Sequence, residues 1–310
     1  MQSRGIHHVT AIAGPARRNL DFYGRTLGLR LVKKTVNFDD PGTYHLYYGD
    51  EAGGPGTIIT FFPWEGVSPG RFGVGETRET AFRVPEGSIG YWTHRFIEKG
   101  VPHDALIKRF GESVLTFTDP DGGRLALVAV AGAEAEPAWS AGDIPREYAI
   151  RGLHGVTLLL ENGGPTGDIL TDVFAFEAGP TEGSVRRYRA PGVKAGAVVD
   201  LHAIGGFPRG HQGGGSVHHI AFRAADDADQ ADMVRKLAER HRIQTTEQRD
   251  RNYFRSVYFR EPGHVLFEIA TDPPGFPVDE PIATLGQALK LPPFLESRRR
   301  AIEAALPKLD

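Results

Sequence analysis

The sequence predicts an α+β protein built from four βαβββ modules paired into two domains. Three observations carry that expectation. Four segments share one rhythm: a short strand, a helix, then several strands split by Gly/Pro turns. Turn marks recur at matching places, with Asp119–Gly122 and Glu261–His264 each preceding a final strand. Finally, two histidine doublets, His7-His8 and His218-His219, sit in short apolar runs some two hundred residues apart, each opening a module.

Taken in order, the first module spans roughly residues 5–64. Its opening strand is Ile6–Ala13, and its helix is Ala16–Leu27, with Leu20, Tyr23 and Leu27 at helical spacing. Tyr44–Tyr48 and Thr57–Phe62 follow as strands. The second, about 77–131, has Thr80–Val84, a helix around Gly90–Lys99, and strands Ser113–Thr118 and Arg124–Val130. Ala131–Arg146 is rich in Ala, Glu and Pro and reads as a linker. The third, about 151–205, runs from Leu153–Leu160 to Val198–Leu201. Gly205–Gly215 is a glycine-rich connection, expected to be a mobile surface loop. The fourth, about 216–271, has a helix over Asp229–Arg242 and strands Arg255–Arg260 and His264–Ala270. Pro273–Asp310 reads as a wrapping tail that ends in a helix from Phe294 to Leu306. The expected domain division is 1–135 for modules one and two, 147–272 for modules three and four, and 273–310 for the tail.

Composition narrows the function classes. The chain has 310 residues, 40% apolar and 24% charged, an ordinary globular balance with room for two domains. The formal net charge is -3 and no basic stripe dominates, so nucleic acid is not an expected partner. With no cysteine, disulfides, thiolate catalysis and Cys-zinc sites are excluded. No stretch approaches eighteen apolar residues, and the first residues lack a signal-type apolar region, so no membrane association and a cytoplasmic location are expected.

The chemistry-bearing residues are the doublets and Glu268, which lies inside the apolar run Val265–Ala270. A carboxylate in such a strand is costly unless something pairs with it. Two imidazoles and one carboxylate are the ligand set of a non-haem iron site with open positions, where both a substrate and O2 can bind. Spacing alone does not choose among the histidines. Module three also opens with a histidine, His154, and its last strand carries Asp200 where module four carries Glu268. His154, Asp200 and His219 therefore compete as a ligand set, and His154 with Asp200 could form a second, vestigial site.

The motifs Gly5–Thr10 (GIHHVT), Thr43–Tyr48 (TYHLYY), Gly54–Pro63 (GPGTIITFFP), Arg151–His154 (RGLH), Val217–His219 (VHH), Asp250–Phe254 (DRNYF), Pro262–Glu268 and, in the tail, Leu285–Pro293 (LGQALKLPP) are collectively specific. On them the chain resembles the vicinal oxygen chelate superfamily (glyoxalase, bleomycin resistance and extradiol dioxygenase proteins), and within it the hydroquinone-type ring-cleaving dioxygenases. The resemblance covers nearly the whole chain and implies the vicinal oxygen chelate fold. It also implies Fe(II), with Mn(II) as the alternative, held by His8, His219 and Glu268. Polar groups at His7, Thr10, His218, Arg251 and Tyr258 would surround it. Neighbours on a strand face opposite sides, so His7 and His8 can both approach one metal only if the strand bulges. Modules one and four facing each other would complete the triad. Modules two and three would supply only His154 and Asp200.

Bland readings stand beside these. A lone strand histidine is usually a hydrogen-bonded core residue, but two doublets with an intrastrand glutamate fit that poorly. Glu268 could instead form a buried ion pair with Arg251 or Arg255, though such pairs add little net stability. Tyr258 could simply pack, and Arg251 could be a surface cation. His45, His94, His103, His202, His211, His241 and His264 are read as solvated or structural, and Arg298–Arg300 as a solvated helix face.

The expected activity is that of an extradiol-type ring-cleaving dioxygenase, inserting O2 into a hydroquinone- or catechol-type aromatic. Tyr258 or a histidine would act as acid/base, and Arg251 would stabilise developing oxyanion charge. Partners are a small aromatic substrate and O2, with homo-oligomerisation open. The competing classes are a glyoxalase-type metal-dependent lyase or isomerase, whose cage usually has two carboxylates, and a metal-free small-molecule binding protein, which would lack the ligand set.

Overall fold

The computed structural model describes residues 4–140 and 142–309. Module one contributes β1 (Ile6–Ala13), β2 (Arg30–Asn37), β3 (Asp40–Gly49) and β4 (Ile58–Pro63). Module two contributes β5 (Glu76–Pro85), β6 (Ile107–Arg109), β7 (Glu112–Thr118) and β8 (Arg124–Val130). Module three gives β9 (Leu153–Leu160), β10 (Glu177–Glu182), β11 (Val185–Arg189) and β12 (Val198–Ala203). Module four gives β13 (Val217–Ala224), β14 (Arg249–Asp250), β15 (Arg255–Arg260) and β16 (Leu266–Thr271).

These strands form two eight-stranded sheets, ordered β14-β15-β16-β13-β1-β4-β3-β2 and β10-β11-β12-β9-β5-β8-β7-β6. Module one therefore shares a sheet with module four, and module two with module three. The seams are antiparallel, β1 against β13 and β5 against β9. Each sheet draws one module from either half of the chain.

Sequence-adjacent modules pack through their helices instead. Tyr23, from the first helix, donates its hydroxyl to Asp119 of module two at 2.7 Å, and Phe22 packs towards Phe117. Phe174, after the helix Gly164–Asp172, stacks on Phe222 of module four with ring centroids 4.1 Å apart. Trp92, Phe96, Phe222 and Phe267 are fully buried between these layers. Burial of each such side chain contributes about 1.5–3 kcal/mol.

Several expectations are corrected in detail. The helix expected over 16–27 is α-helical over Ala16–Leu20 and then widens into a π-type turn over Asp21–Thr26. The wider turn lets the adjacent aromatics Phe22 and Tyr23 both face the core. The tail helix is two short ones, Pro293–Glu296 and Arg299–Ala305, whose Leu295 and Ile302 are both buried. β2 is not visible in the alternation of the sequence because Lys33 interrupts it. Lys33 is nonetheless fully buried, its ammonium bonded to Asp279 at 2.5 Å and to Glu280 of the tail. The tail also bonds the edge of β2 through Lys290 N–H to the Lys34 carbonyl, 2.9 Å. That covers an otherwise open sheet edge.

The Gly205–Gly215 segment is not a free loop. It pairs with the chain around 70–74 through Gly70 N–H to Gly214 O (3.0 Å), Arg71 N–H to His211 O (2.8 Å) and Val74 N–H to Pro208 O (2.9 Å). Glycine is needed here: a Cβ on Gly73 would lie 2.4 Å from both Gly210 N and Pro208 O. The two sheet-to-sheet crossovers thus brace each other. Among the described residues, no helix is long and apolar enough to cross a membrane.

Candidate metal centre

Both strands of the first seam bulge at the doublets. On β1, Ile6 pairs with Phe222 and His8 with Ala221, so His7 is an extra residue. On β13, His219 pairs with Thr10 and Val217 with Ala11, so His218 is extra. A bulge re-aims side chains locally and removes the objection that strand neighbours must face apart. His7 Nδ1 lies 3.0 Å from His8 Nδ1, and His218 Nδ1 lies 2.8 Å from His219 Nδ1.

The far nitrogens of His8 and His219 converge on one carboxylate oxygen. His219 Nε2 is 2.8 Å and His8 Nε2 is 3.5 Å from Glu268 Oε2. All three side chains are buried, and their donor atoms lie within 4.8 Å of one another. Among the described residues this is the one group of three or more His, Asp or Glu side chains so arranged. Glu268 Oε2 has no well-formed hydrogen bond although it is buried. Two imidazole nitrogens and an orphaned carboxylate oxygen facing one point are what a divalent cation satisfies. The other oxygen, Oε1, accepts from Ser256 Oγ at 2.5 Å.

The electrostatics agree with this assignment. Burial alone pushes the Glu268 carboxyl up, but His8 and His219 outweigh it and hold it well below the ordinary carboxylate range. Burial, reinforced by the neighbouring imidazole, lowers His7 well below its usual value and His218 to about 3. Both backing histidines therefore stay neutral and can accept at Nδ1. Ligation through Nε2 would require His8 and His219 to carry their proton on Nδ1 and donate it backwards to His7 and His218, an outer-shell contact that fixes ring orientation. Glu268 pairs with neither Arg251 nor Arg255. Arg251 reaches Asp39 at 3.2 Å, and Arg255 reaches Asp227 at 2.8 Å.

A cavity of about 270 Å³ opens on the triad. A cavity of roughly 150 Å³ already takes benzene, so a single substituted ring fits. Six of the eight sequence-predicted residues line it: His8, His218, His219, Arg251, Tyr258 and Glu268. His7 does not line it; it sits behind His8, against the Phe254 ring at 5.2 Å. Thr10 does not line it either, and its hydroxyl accepts from Thr60 at 2.9 Å. Phe38, Phe62, Trp64 and Phe254 give the cavity aromatic walls. Arg251 Nε donates to the Tyr258 hydroxyl at 3.3 Å. Burial and the Glu268 charge push the Tyr258 phenol up, so it remains protonated at neutral pH.

Eight of the fourteen lining residues were not singled out by the sequence reading, and two of them, His45 and Tyr47, are hydrogen-bonded to each other. His45, read there as solvated or structural, lines the cavity together with Tyr47. Its imidazole is fixed at both nitrogens, Nδ1 to the Tyr47 hydroxyl and Nε2 to Thr60 Oγ1, each at 2.8 Å. The signal was available: His45 and Tyr47, two apart on a strand, share a face.

The competing set is spent on ion pairs. His154 Nε2 lies 3.1 Å from Glu112, and Arg187 grips Asp200 with two bonds of 2.9 Å. His154 is the bulged residue of β9, between Gly155 opposite Ala81 and Leu153 opposite Phe82. It therefore matches His7 or His218, not a triad position.

A family model described as "Glyoxalase/Bleomycin resistance protein/Dioxygenase superfamily" matches residues 5–127 and 155–269. "Putative ring-cleaving dioxygenase MhqO" of Bacillus subtilis (strain 168) is 48% identical over 305 residues, covering 98% of this chain and 96% of that one. "Chlorohydroquinone/hydroquinone 1,2-dioxygenase" of Sphingobium indicum is 33% identical over 298 residues, covering 94% and 92%. The crystal structure of a "putative dioxygenase" from Bacillus subtilis superposes with a TM-score of 0.95 at 47% identity, covering 100% and 98%. Glyoxalase I from Zea mays shares the fold at 13% identity, with a TM-score of 0.65 over 86% and 92%. The chain belongs to the glyoxalase/bleomycin resistance protein/dioxygenase superfamily.

Proposed function

We propose that the protein is an Fe(II)-dependent dioxygenase that opens the ring of a hydroquinone-type aromatic, with both atoms of O2 ending in the product. The observation that carries this reading is a buried set of two histidines and one carboxylate beside an aromatic-walled cavity of single-ring size. The names of the relatives, ring-cleaving and hydroquinone dioxygenases at 33–48% identity, support the same reaction.

His8, His219 and Glu268 would hold the metal. When bound, Fe(II) supplies redox chemistry and coordination positions for an ionised phenol and O2. The chain's own residues do the rest. Phe62, Trp64 and Phe254, which line the cavity, would flank the ring and shield it from water. Arg251, a planar donor fixed between Asp39 and Tyr258, is set to orient an anionic oxygen. The Tyr258 hydroxyl holds a proton at the cavity wall and can exchange it with a substrate oxygen. Its ring packs edge-on against His219 at 5.7 Å, which ties its position to the triad.

A glyoxalase-type cage would need a second carboxylate opposite Glu268. The matching position is Thr60, which pairs with β1 and β3 as Glu268 pairs with β13 and β15. Its hydroxyl is engaged by Thr10 and His45. The lyase reading therefore lacks its fourth ligand.

The test is metal analysis of anaerobically purified protein, followed by O2 uptake over a hydroquinone panel and mass spectrometry with isotope-labelled O2. The expected result is one O2 consumed per hydroquinone and two labelled atoms in an acyclic product. Unlabelled product together with turnover of a hemithioacetal would overturn the reading.

A further inference from the structure

The two walls of the cavity are related by the pseudo-twofold axis of the seam. Thr10, Thr60 and Tyr47 are register partners across β1, β4 and β3, just as Ala221, Glu268 and Tyr258 are across β13, β16 and β15. Tyr47 is thus the mirror of Tyr258. His45, two residues before Tyr47, mirrors Ser256, two before Tyr258. The hydrogen bonds repeat as well: Ser256 donates to Glu268, and His45 bonds Thr60.

The chemistry of the two tyrosines nevertheless differs. The Thr60 hydroxyl donates to Thr10, so it cannot also donate to His45. His45 Nε2 must carry the proton given to Thr60, which leaves Nδ1 bare. The Tyr47 hydroxyl then donates its single proton to Nδ1 at 2.8 Å. Its oxygen keeps lone pairs, so towards the cavity Tyr47 can only accept. The His45 ring is clamped between Tyr47 and Phe62, with centroids 4.0 and 4.3 Å away, so this arrangement is rigid. On the opposite wall Arg251 donates to the Tyr258 hydroxyl, which leaves the Tyr258 proton free to be given and puts a guanidinium charge beside the cavity. One wall suits an anionic oxygen and the other a neutral O–H.

We propose that Tyr47 accepts a hydrogen bond from the second, un-ionised hydroxyl of a dihydroxyarene, with His45 as the positioning residue that keeps its oxygen an acceptor. The cavity then selects the mono-anion of a dihydroxyarene over a simple phenol of equal size. This rests on the reading of the site as a phenol-binding metal centre.

The test measures binding, not turnover. Protein loaded with Zn²⁺, which has no redox chemistry, is titrated by calorimetry under anaerobic conditions with hydroquinone and with 4-methylphenol. The two differ by a hydroxyl against a methyl. Wild type should prefer hydroquinone by about fivefold, the factor one neutral hydrogen bond sustains. Tyr47→Phe should bind both equally while retaining full metal content. His45→Gln, whose amide can accept from Tyr47 and donate to Thr60, should keep the preference, and His45→Leu should lose it. A preference that survives in Tyr47→Phe, or wild type binding both phenols equally, overturns the assignment of Tyr47 and leaves the metal-centre reading standing. Wild type binding neither phenol overturns that reading and this proposal with it.

Discussion

Ser256→Ala isolates the support of the triad from the triad itself. Ser256 is fully buried, and its hydroxyl is the hydrogen-bond donor to Glu268 Oε1, at 2.5 Å. The bond fixes the carboxylate so that Oε2 faces the imidazoles. Two estimates of its worth converge. A hydrogen bond to a charged group contributes about 1.5–3 kcal/mol, close to a factor of 10–100 in an equilibrium constant. Outer-shell partners of metal ligands independently carry about 10–100-fold in affinity. Ser256→Ala should therefore weaken Zn²⁺ binding by that factor, read by competition with a chromophoric chelator on metal-free protein. The mirror position supplies the control. Thr60→Val removes a hydroxyl in the same relation to the seam, but one that holds no ligand, so metal affinity should stay within about twofold. Equal loss in both variants, or none in Ser256→Ala, would refute the idea that the pseudo-symmetric walls have divided into a metal-holding side and a substrate-holding side.

Alanine at His8, His219 or Glu268 should each abolish stoichiometric metal binding by elemental analysis, while His154→Ala spares it because His154 is bonded to Glu112. Tyr258→Phe keeps the ring packing and loses the proton, so kcat should fall roughly 10²–10⁴-fold with metal content unchanged; normal turnover would make Tyr258 a packing residue and pass the role to His218. Arg251→Lys keeps the charge but loses the fork that reaches both Asp39 and Tyr258, and should raise KM for the aromatic substrate. The Glu112 carboxyl, pushed up by burial but pulled down further by His154 and Arg187, sits at about 2 against an ordinary 4.5. A depressed carboxyl adds stability that is full above pH 4.5 and fades as pH falls towards 2. The gap corresponds to roughly 3 kcal/mol, less what solvent screens at a partly exposed group. Glu112→Gln should flatten that part of the acid-unfolding curve, and an unchanged curve would count against the network.

What was legible in the sequence was what periodicity and residue type encode. β1, β8, β9 and β15 run over the predicted spans because each is bounded by glycine, proline or charge and filled with apolar or β-branched residues. The doublets and Glu268 stood out because a carboxylate and paired histidines in apolar strands have few inexpensive structural explanations, but the choice of His8 and His219 over His154 rested on the family resemblance. What stayed hidden depends on partners distant in the chain. β2 carries a lysine that only the tail neutralises. The bulges that let His7 stand behind His8 and His218 behind His219 are properties of a pairing between strands two hundred residues apart. His45 looked like any strand histidine, because its role depends on Thr60 and Tyr47 meeting it in register.

The same register shows why, among the described residues, the fold builds one such cluster and not two. Positions matching His8, His219, Glu268 and Thr60 in the second sheet are Gly155, Glu79, Ala126 and Asp200. No imidazole remains among them. At Gly155 none could be added, since a Cβ there would lie 2.0 Å from the Val198 carbonyl oxygen. The two surviving carboxylates are not left for a cation. Arg109 grips Glu79 at 2.5 and 3.3 Å, and Arg187 holds Asp200 in a fork. Guanidinium groups fixed in this way supply the positive charge that a metal would bring, and they need no exchangeable ligand. The first sheet has no guanidinium on Glu268: its Oε2 faces the nitrogens of His8 and His219 without a well-formed hydrogen bond, an arrangement that a divalent cation would complete. Replacing Arg187 with a neutral residue should therefore expose a buried, unpaired Asp200 and cost stability, about 3–5 kcal/mol for a broken buried pair, without creating a metal site. Chemical denaturation and metal titration of Arg187→Met check both halves, and metal binding by that variant would show that the arginines, not the missing imidazoles, keep the second sheet empty of chemistry.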